Sequence, residues 1–574
     1  MNTLSSVKNE LPSVVLPSIR DSRLPPSGDG SRDTKYDNLY TPKNDDFYSH
    51  FRYEDLNQAE HNIRLLRVKC LDPGDDEHAQ VRCDLLDNQS VTAMRGKFTT
   101  LSYGAGNPHT TETIFVNGIC FNAFANLGHA LRQARYFWKN NFDKQELLLW
   151  ADQVCINQSN PEERSQQVNL MGDIYRSAEH ALICLSVEGN VPGGIAWLHQ
   201  LSHTFATELQ PTDILHSKWE DKSFHLGWDA FLRTFLGSPW WSRAWVRQEF
   251  IRSPDAYFLA VYESMHWKEA VDIVGLKMLD VYYSHKDWHA FDSSRPATPN
   301  RSGPSEESSD SCQACILGSN PNIFWEVGRR ADRLLKAKVK AASGPVQHLD
   351  LLDNLRDIPF CKASDPRDLI YAFLGLSEHS YGLYPDYSLN ITLPDVLIQL
   401  ARNIISHDKN LNFLDMTCRT HHEKMDPNVP SWVPDWRNMP RFQACRDIVK
   451  DQKTRTSTSI SFLPNEKGRQ GRILQVRGVC RDVLISEMEA WPRQFLSATG
   501  DKIPVLGMVG VNDEVWMLDG ANILLILRRQ GHYHRLVGEV LVNISELSKI
   551  DFLADETTRL VAKNDATVRL INIC

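Results

Sequence analysis

The sequence predicts an α/β N-terminal unit on a parallel sheet, then a mainly helical middle and a small β-rich C-terminal region. Three observations carry this. Leu147-Leu148-Leu149-Trp150 is a continuous apolar run, as expected of a strand buried on both faces of a parallel sheet. Val168, Met171, Ile174, Tyr175 and Ala178 then recur at helical spacing, and ALICLS at 181–186 reads as a second buried strand, which completes a β-α-β unit. Downstream, LPDVLIQLARNII has a helical period, whereas the stretch from WMLDG to YHRLVGEV breaks into short strand-like runs at turns.

The elements follow in order. Residues 1–55 are rich in Ser, Pro, Asp and Asn without periodicity and are expected to form a disordered leader. The first unit spans 56–290. It opens with two strand-like runs, IRLLRVKCL and QVRCDLL, on either side of the turn signal DPGDDE. FTTLSY and TETIFVNG are further strands, and Asn117-Gly118 is a hairpin turn signal. Leu127, Ala130, Leu131 and Ala134 then mark a helix. The helix after the LLLW strand has a well-marked start: Ser159 or Asn160 can cap it, Pro161 suits the first turn, and Glu162 and Glu163 suit its positive dipole end. Residues 291–322 are dense in Ser, Pro and Gly and read as a linker; 323–450 is the helical middle and 470–574 the β-rich end.

Composition narrows the functional classes. The 574 residues carry 63 Lys and Arg against 72 Asp and Glu, a net charge of −9. That balance argues against a protein that coats nucleic acid or an anionic membrane, since both require concentrated cations. The 12 cysteines are mostly scattered singly in apolar runs, the pattern of reduced core residues. The N-terminus has no continuous apolar segment of the secretory type, and no run approaches the roughly 20 apolar residues that span a bilayer. A cytoplasmic protein is expected.

Ligands of parallel sheets bind beyond the carboxyl ends of the strands. Here that edge carries Asp152, Gln153, Asn157 and Gln158, with Glu163 one step into the helix. Cys155 lies between Val154 and Ile156 with no histidine in the segment, so it reads as a buried structural cysteine rather than a nucleophile. Arg243, Gln248 and Glu249 stand in a block with Trp240, Trp241 and Trp245, where tryptophans at such spacing usually form core and Arg–Glu pairs usually orient helices. Cys312-x-x-Cys315 has the spacing of half a zinc site but no second pair nearby, so no metal is expected. YGAGNPHT imitates a dinucleotide fingerprint, yet a strand-like segment follows it where a helix is required.

The run LLLWADQVCINQSNPEERSQQVNLMGDIYRSAEHALICL at 147–185 resembles the central motif of the fungal heterokaryon incompatibility (HET) domain. FTTLSYGAGNP (98–108), NLGHALRQAR (126–135) and SPWWSRAWVRQEF (238–250) resemble its other blocks, in the expected order. DPRDLIYAFLGL, YPDYS, SWVPDWR and DEVWMLDGANILLILRR resemble segments that trail such domains. The resemblance implies a domain similar to the Toll/interleukin receptor (TIR) fold, a flavodoxin-like doubly wound sheet. It implies a role in nonself recognition and regulated cell death, with protein partners or self-association.

Some TIR domains hydrolyse NAD with one glutamate and others only assemble signalling complexes, so the resemblance implies NAD as a substrate on the first of these two readings and no cofactor on the second. On the first, Glu163 is the catalytic candidate, because a carboxylate beside the ribose stabilises the positive charge that develops as the N-glycosidic bond breaks. Ser102, Tyr103, Asp152 and Gln158 would then line a nucleotide pocket. The bland alternatives stay open: Glu163 as an ordinary first-turn glutamate, and Asp152 and Gln158 tying down their own loop. The chain departs from the family at Gly104–Asn107, where Ala105 and Asn107 replace a tryptophan and an acidic residue. A degenerate member with the fold but no death activity is therefore a third reading.

Overall fold

The computed structural model describes residues 43–273, 321–343, 351–438 and 456–574, apart from 72–73, 75, 108, 143–145, 208–221, 378–379, 389, 419–425, 458, 466, 491 and 542–546. The N-terminal part contributes β1 (Asn62–Val68), β2 (Arg82–Ser90), β3 (Thr99–Tyr103), β4 (Thr111–Val116), β5 (Ile119–Phe124), β6 (Leu147–Trp150), β7 (His180–Cys184), β8 (Ala256–Ala260) and β9 (Glu263–His266). They form one mixed sheet in the order β5-β4-β2-β1-β6-β3-β7-β8-β9. Its centre, β6-β3-β7-β8, is parallel: Thr99 is in register with both Leu149 and His180, and Ala181 with Ala256. The flanks bring in antiparallel pairs, β1 with β2 and β6, β4 with β5, and β8 with β9.

The sequence accounts for these elements. Leu147, Leu149 and Trp150 of β6 are buried, as are Ala181 to Cys184 of β7. Helix α1 (Ala125–Asn141) follows β5, and α2 (Pro161–Ser177) links β6 to β7, crossing β3 between them. Asn160 caps α2 by accepting from the amides of Glu162 (3.1 Å) and Glu163 (3.2 Å). Asn117 and Gly118 turn the β4–β5 hairpin with φ of 53° and 78°, the left-handed pair that such a two-residue turn requires.

Helix α3 (Val246–Ile251) ends the Trp-rich block. The middle is helical as expected, with α4 (Pro321–Ala342), α5 (Asp368–Leu374) and α6 (Leu393–Asp408). The C-terminal part holds β10 (Ser461–Leu463), β11 (Ile473–Met488), β12 (Gln494–Ser497), β13 (Lys502–Gly507), β14 (Glu514–Leu518), β15 (Leu524–Gln530), β16 (Tyr533–Val540), helix α7 (Leu547–Ala562) and β17 (Arg569–Ile573). Its strands make an eight-stranded sheet, and α7 lies on it through Arg481, whose guanidinium meets Glu556 at 2.8 Å.

Two expectations about boundaries change. The leader was expected to reach 55, but Asp45–His50 is helical and Phe47 is 1% exposed, packed edge-on against Phe121. The aromatic run FYSHFRY supplies enough apolar surface to fold back, and the Tyr53 hydroxyl donates to the Val154 carbonyl at 2.9 Å. Residues 1–42, and the linker up to 320 with Cys312 and Cys315, lie outside the described residues, while Pro321 already belongs to α4. The expected units also share one core: a continuous buried apolar cluster runs from Phe47 through Trp436 to Leu474, Trp516 and Ile573.

Candidate functional site

β3 ends in Ser102 and Tyr103, at the carboxyl edge of the parallel strands, and three other segments meet it there. The first is the Trp-rich block. Ser238 caps a short 3-10 turn at Pro239–Ser242 and donates to the Leu185 carbonyl at 2.7 Å, which seats the block beyond β7. The fully buried Trp240 donates its indole N–H to the Ser102 hydroxyl at 2.6 Å. The second is α3, whose Glu249 accepts a short hydrogen bond from the Ser102 hydroxyl. Arg243, on the turn between them, donates to the Tyr103 carbonyl and lies 3.6 Å from the Glu249 carboxylate. The third is the loop after β6, where Asp152 accepts the Tyr103 hydroxyl at 2.9 Å and Gln158 donates to the Asp152 carbonyl at 2.9 Å.

Four of the five expected site residues, Ser102, Tyr103, Asp152 and Gln158, therefore converge. Ser102 and Glu249 form the closed end of the cluster, at 1% and 3% exposure. Asp152, Gln158 and Arg243 are half-buried and form its outer rim. Gly104, where the departing loop begins, is held by Asn126, which donates to its carbonyl at 2.8 Å.

The electrostatics follow from burial. Glu249 is pushed above the usual carboxylate range by desolvation, which the Arg243 charge and the Ser102 hydrogen bond offset only in part. Burial, then the Asp152 charge, drives the Tyr103 hydroxyl well above its ordinary value. For Arg243 burial works against the charge, yet Glu249 and Asp152 outweigh it and hold the guanidinium more firmly protonated. The arrangement pairs a buried carboxyl with a cation, a hydroxyl and a rim carboxylate.

Glu163 is held elsewhere. Arg64 of β1, itself 0% exposed, grips it bidentately at 2.6 and 3.2 Å, and the Asn157 amide donates to it at 2.8 Å. Arg64 also bonds Asp87 at 3.0 Å and the carbonyls of Cys155 (3.1 Å) and Glu54 (2.6 Å). The hydrogen bonds of Glu163 reach none of Ser102, Tyr103, Asp152 or Gln158. Its surroundings are those of an ion pair that fixes the 152–163 loop against β1.

Arg243 and Glu249, which the sequence reads as a helix-orienting pair, and Trp240, which it reads as core, are the further members of the cluster. Their signal was present, in two charged residues closely spaced within a tryptophan block. Gln248, their neighbour, points away and donates to the carbonyls of Tyr371 (3.3 Å) and Ala372 (3.0 Å). Cys155 is fully buried and its thiol is pushed up to about 12 by desolvation, as a structural cysteine should be. Among the described residues no group of three or more His, Cys, Asp or Glu could hold a metal ion, and no helix is long and apolar enough to cross a membrane.

The comparisons with known proteins meet this geometry. The family model described as heterokaryon incompatibility protein (HET) matches residues 98–249, which run from the start of β3 to Glu249. A curated relative, heterokaryon incompatibility protein 6, OR allele, of Neurospora crassa, is 24% identical over 413 residues, covering 62% of this chain and 54% of the relative. The chain thus spans about half the length of that relative. No solved structure matches. The matched span contains every residue of the cluster, and residues 98–249 of this chain match the HET domain.

Proposed function

We propose that this chain acts in fungal nonself recognition, its HET domain setting off a regulated cell-death response through protein partners or self-association in the cytoplasm. The carrying observation is the HET match over residues 98–249, together with the relative named for heterokaryon incompatibility. The winding of the parallel strands supports a TIR-like, flavodoxin-like reading of the domain. β6, β3, β7 and β8 stand second, first, third and fourth in chain order, the opening of the flavodoxin-like 2-1-3-4-5 arrangement. Inducing the full-length chain in a filamentous fungus and scoring vital-dye uptake tests the proposal. Normal growth at high expression sinks the effector reading and favours a degenerate family member.

A second reading, NAD glycohydrolase, is favoured by the cluster at the strand ends. Cleaving the bond to nicotinamide needs a carboxylate beside the ribose and groups for its hydroxyls, and Glu249 with Ser102, Tyr103 and Asp152 offers that set. Glu163, the candidate from sequence, has both oxygens engaged by Arg64, so the geometry favours Glu249 as the working carboxylate. Purified protein is incubated with NAD and nicotinamide release is followed. Glu249→Gln is expected to abolish release and Glu163→Gln to retain it. Loss of release only in Glu163→Gln reverses the assignment, and no release from the wild type in any assembled state removes the enzyme reading.

A further inference from the structure

A second constellation lies at the same sheet edge, outside the cluster above. β7 runs on through Leu185 to Ser186, which is 4% exposed, and α1 presents His129, 6% exposed, to it. His129 Nε2 lies 2.9 Å from Ser186 Oγ, and its Nδ1 lies 3.2 Å from the Glu188 carboxylate. Arg132, one turn further along α1, donates to the same Glu188 oxygen at 3.1 Å and is itself held by Glu112. We infer that Ser186, His129 and Glu188 form a nucleophilic triad, giving the domain an acyl-transfer site for ester or thioester carbonyls.

The partners assign the tautomer. An ionised carboxylate only accepts, so Nδ1 carries the imidazole proton and Nε2 is left as the acceptor for the Ser186 hydroxyl. That is the relation of nucleophile, base and orienting acid that serine acyl transfer requires, whatever the order of the residues in the chain. Burial lowers the imidazole pKa despite Glu188, which keeps His129 neutral and able to take a proton at neutral pH.

A strained turn supports the nucleophile. β8 and β9 are joined by Val261 and Tyr262, at φ of 48° and 64°. A two-residue hairpin of this kind favours Asn and Gly, and a β-branched valine there is an outlier. The turn aims the Val261 amide at Ser186 Oγ (3.0 Å) and the Tyr262 amide at Gln133 Oε1 (2.6 Å). Strain of this sort persists where the surroundings over-determine it, characteristically at functional sites. Here it delivers an N–H that holds the Ser186 oxygen from one side, so that the hydroxyl's own proton is directed at His129 Nε2.

In the reaction Ser186 Oγ bonds to the carbonyl carbon as its proton passes to His129 Nε2. The bond to the leaving alcohol or thiol breaks, and that group takes the proton from His129. Water, deprotonated by the same imidazole, then attacks the acyl-serine, releases the acid and restores the hydroxyl. Glu188, with its side chain 68% exposed, marks where the triad reaches solvent.

The test is labelling of the full-length protein with an alkyl fluorophosphonate, read by intact mass and peptide mapping. One adduct on Ser186 is expected, absent in Ser186→Ala, with a rate that rises with pH as His129 deprotonates. His129→Gln should slow labelling about 100-fold or more. Glu188→Gln changes an exposed side chain, preserves the fold and should slow it about 10-fold or more. A folded wild-type protein that takes no adduct at Ser186, or equal rates in wild type and both glutamine variants, overturns the inference.

Discussion

Replacing Arg64 by methionine separates a structural Glu163 from a catalytic one. Arg64 is 0% exposed and the Glu163 side chain 9%, so the pair sits out of water with two guanidinium contacts at 2.6 and 3.2 Å. Removing one partner of a buried ion pair strands the other charge, at a cost of about 3–5 kcal/mol. Arg64→Met is expected in that range, because Glu163 keeps only the Asn157 amide and Asp87 loses its cation as well. Glu163→Gln is milder. The amide oxygen can still accept from Arg64, whose charge remains on Asp87, so about 1–3 kcal/mol is expected. In Arg64→Met/Glu163→Met no charge is stranded at position 163, and the cycle should show coupling of at least about 1 kcal/mol. Urea unfolding followed by tryptophan fluorescence gives the global values. A chain of 574 residues need not unfold in one step, so hydrogen exchange across 152–163 gives the local opening free energy. An Arg64→Met protein within about 1 kcal/mol of wild type, or strictly additive variants, refutes the reasoning. Nicotinamide release that vanishes in Glu163→Gln at full stability returns Glu163 to the chemistry.

Two further predictions concern the contact between the HET domain and the middle region. Burial, then the Asp365 charge, raises Asp368 to about 6 from its ordinary 3.8, with the Tyr387 hydroxyl 2.6 Å away partly restraining it. The folded state thus binds this proton more tightly than the unfolded chain. Its contribution is fully present below pH 3.8 and is lost as pH rises through about 6. Urea midpoints should therefore show a decline between those values that Asp368→Asn flattens. Gly375→Ala would drive a methyl into the Gln248 side chain and disturb its bonds to the carbonyls of Tyr371 and Ala372. A loss of about 1–3 kcal/mol is expected by thermal melting, and an unchanged melt contradicts the packing described.

Local signals carried the N-terminal fold. The LLLW run, the capped start at Asn160-Pro161 and the Asn117-Gly118 turn each state a conformation within a few residues, and each stands where its chemistry put it. The carboxyl edge was legible for the same reason, since any parallel strand ends in a loop that faces ligands. Glu163 was harder. A first-turn glutamate is identical in sequence whether it faces a pocket or a cation, and the cation, Arg64, lies 99 residues away in an apolar strand that gives no sign of an inward charge. Glu249 has the converse history. Its partner Ser102 is 147 residues distant, so the Trp-rich block read as core although its single carboxylate closes the site. The folded segment at 43–55 escaped because polar residues around Phe47 hide its aromatic stripe.

The position of Glu249 depends on more than the matched span. Helix α3 is only six residues long, too short to hold itself in water, and it is fixed from the middle region on several sides. Arg247 pairs with Asp357 at 2.6 Å, Gln248 is taken by carbonyls of α5, and Arg252 donates to the Gly375 carbonyl at 2.6 Å. Lys338 of α4, 2% exposed, donates to the Phe250 carbonyl at 2.9 Å and also bonds Ser253 at the helix's C-terminal end. A cation at that end suits the helix dipole, but it is kept out of water, and burial lowers its pKa to about 7. Residues outside 98–249 thus set where Glu249 stands relative to Ser102, and a displacement of α4 or α5 would be felt at the carboxylate through a rigid turn of helix. The middle region is part of the machinery that builds the site.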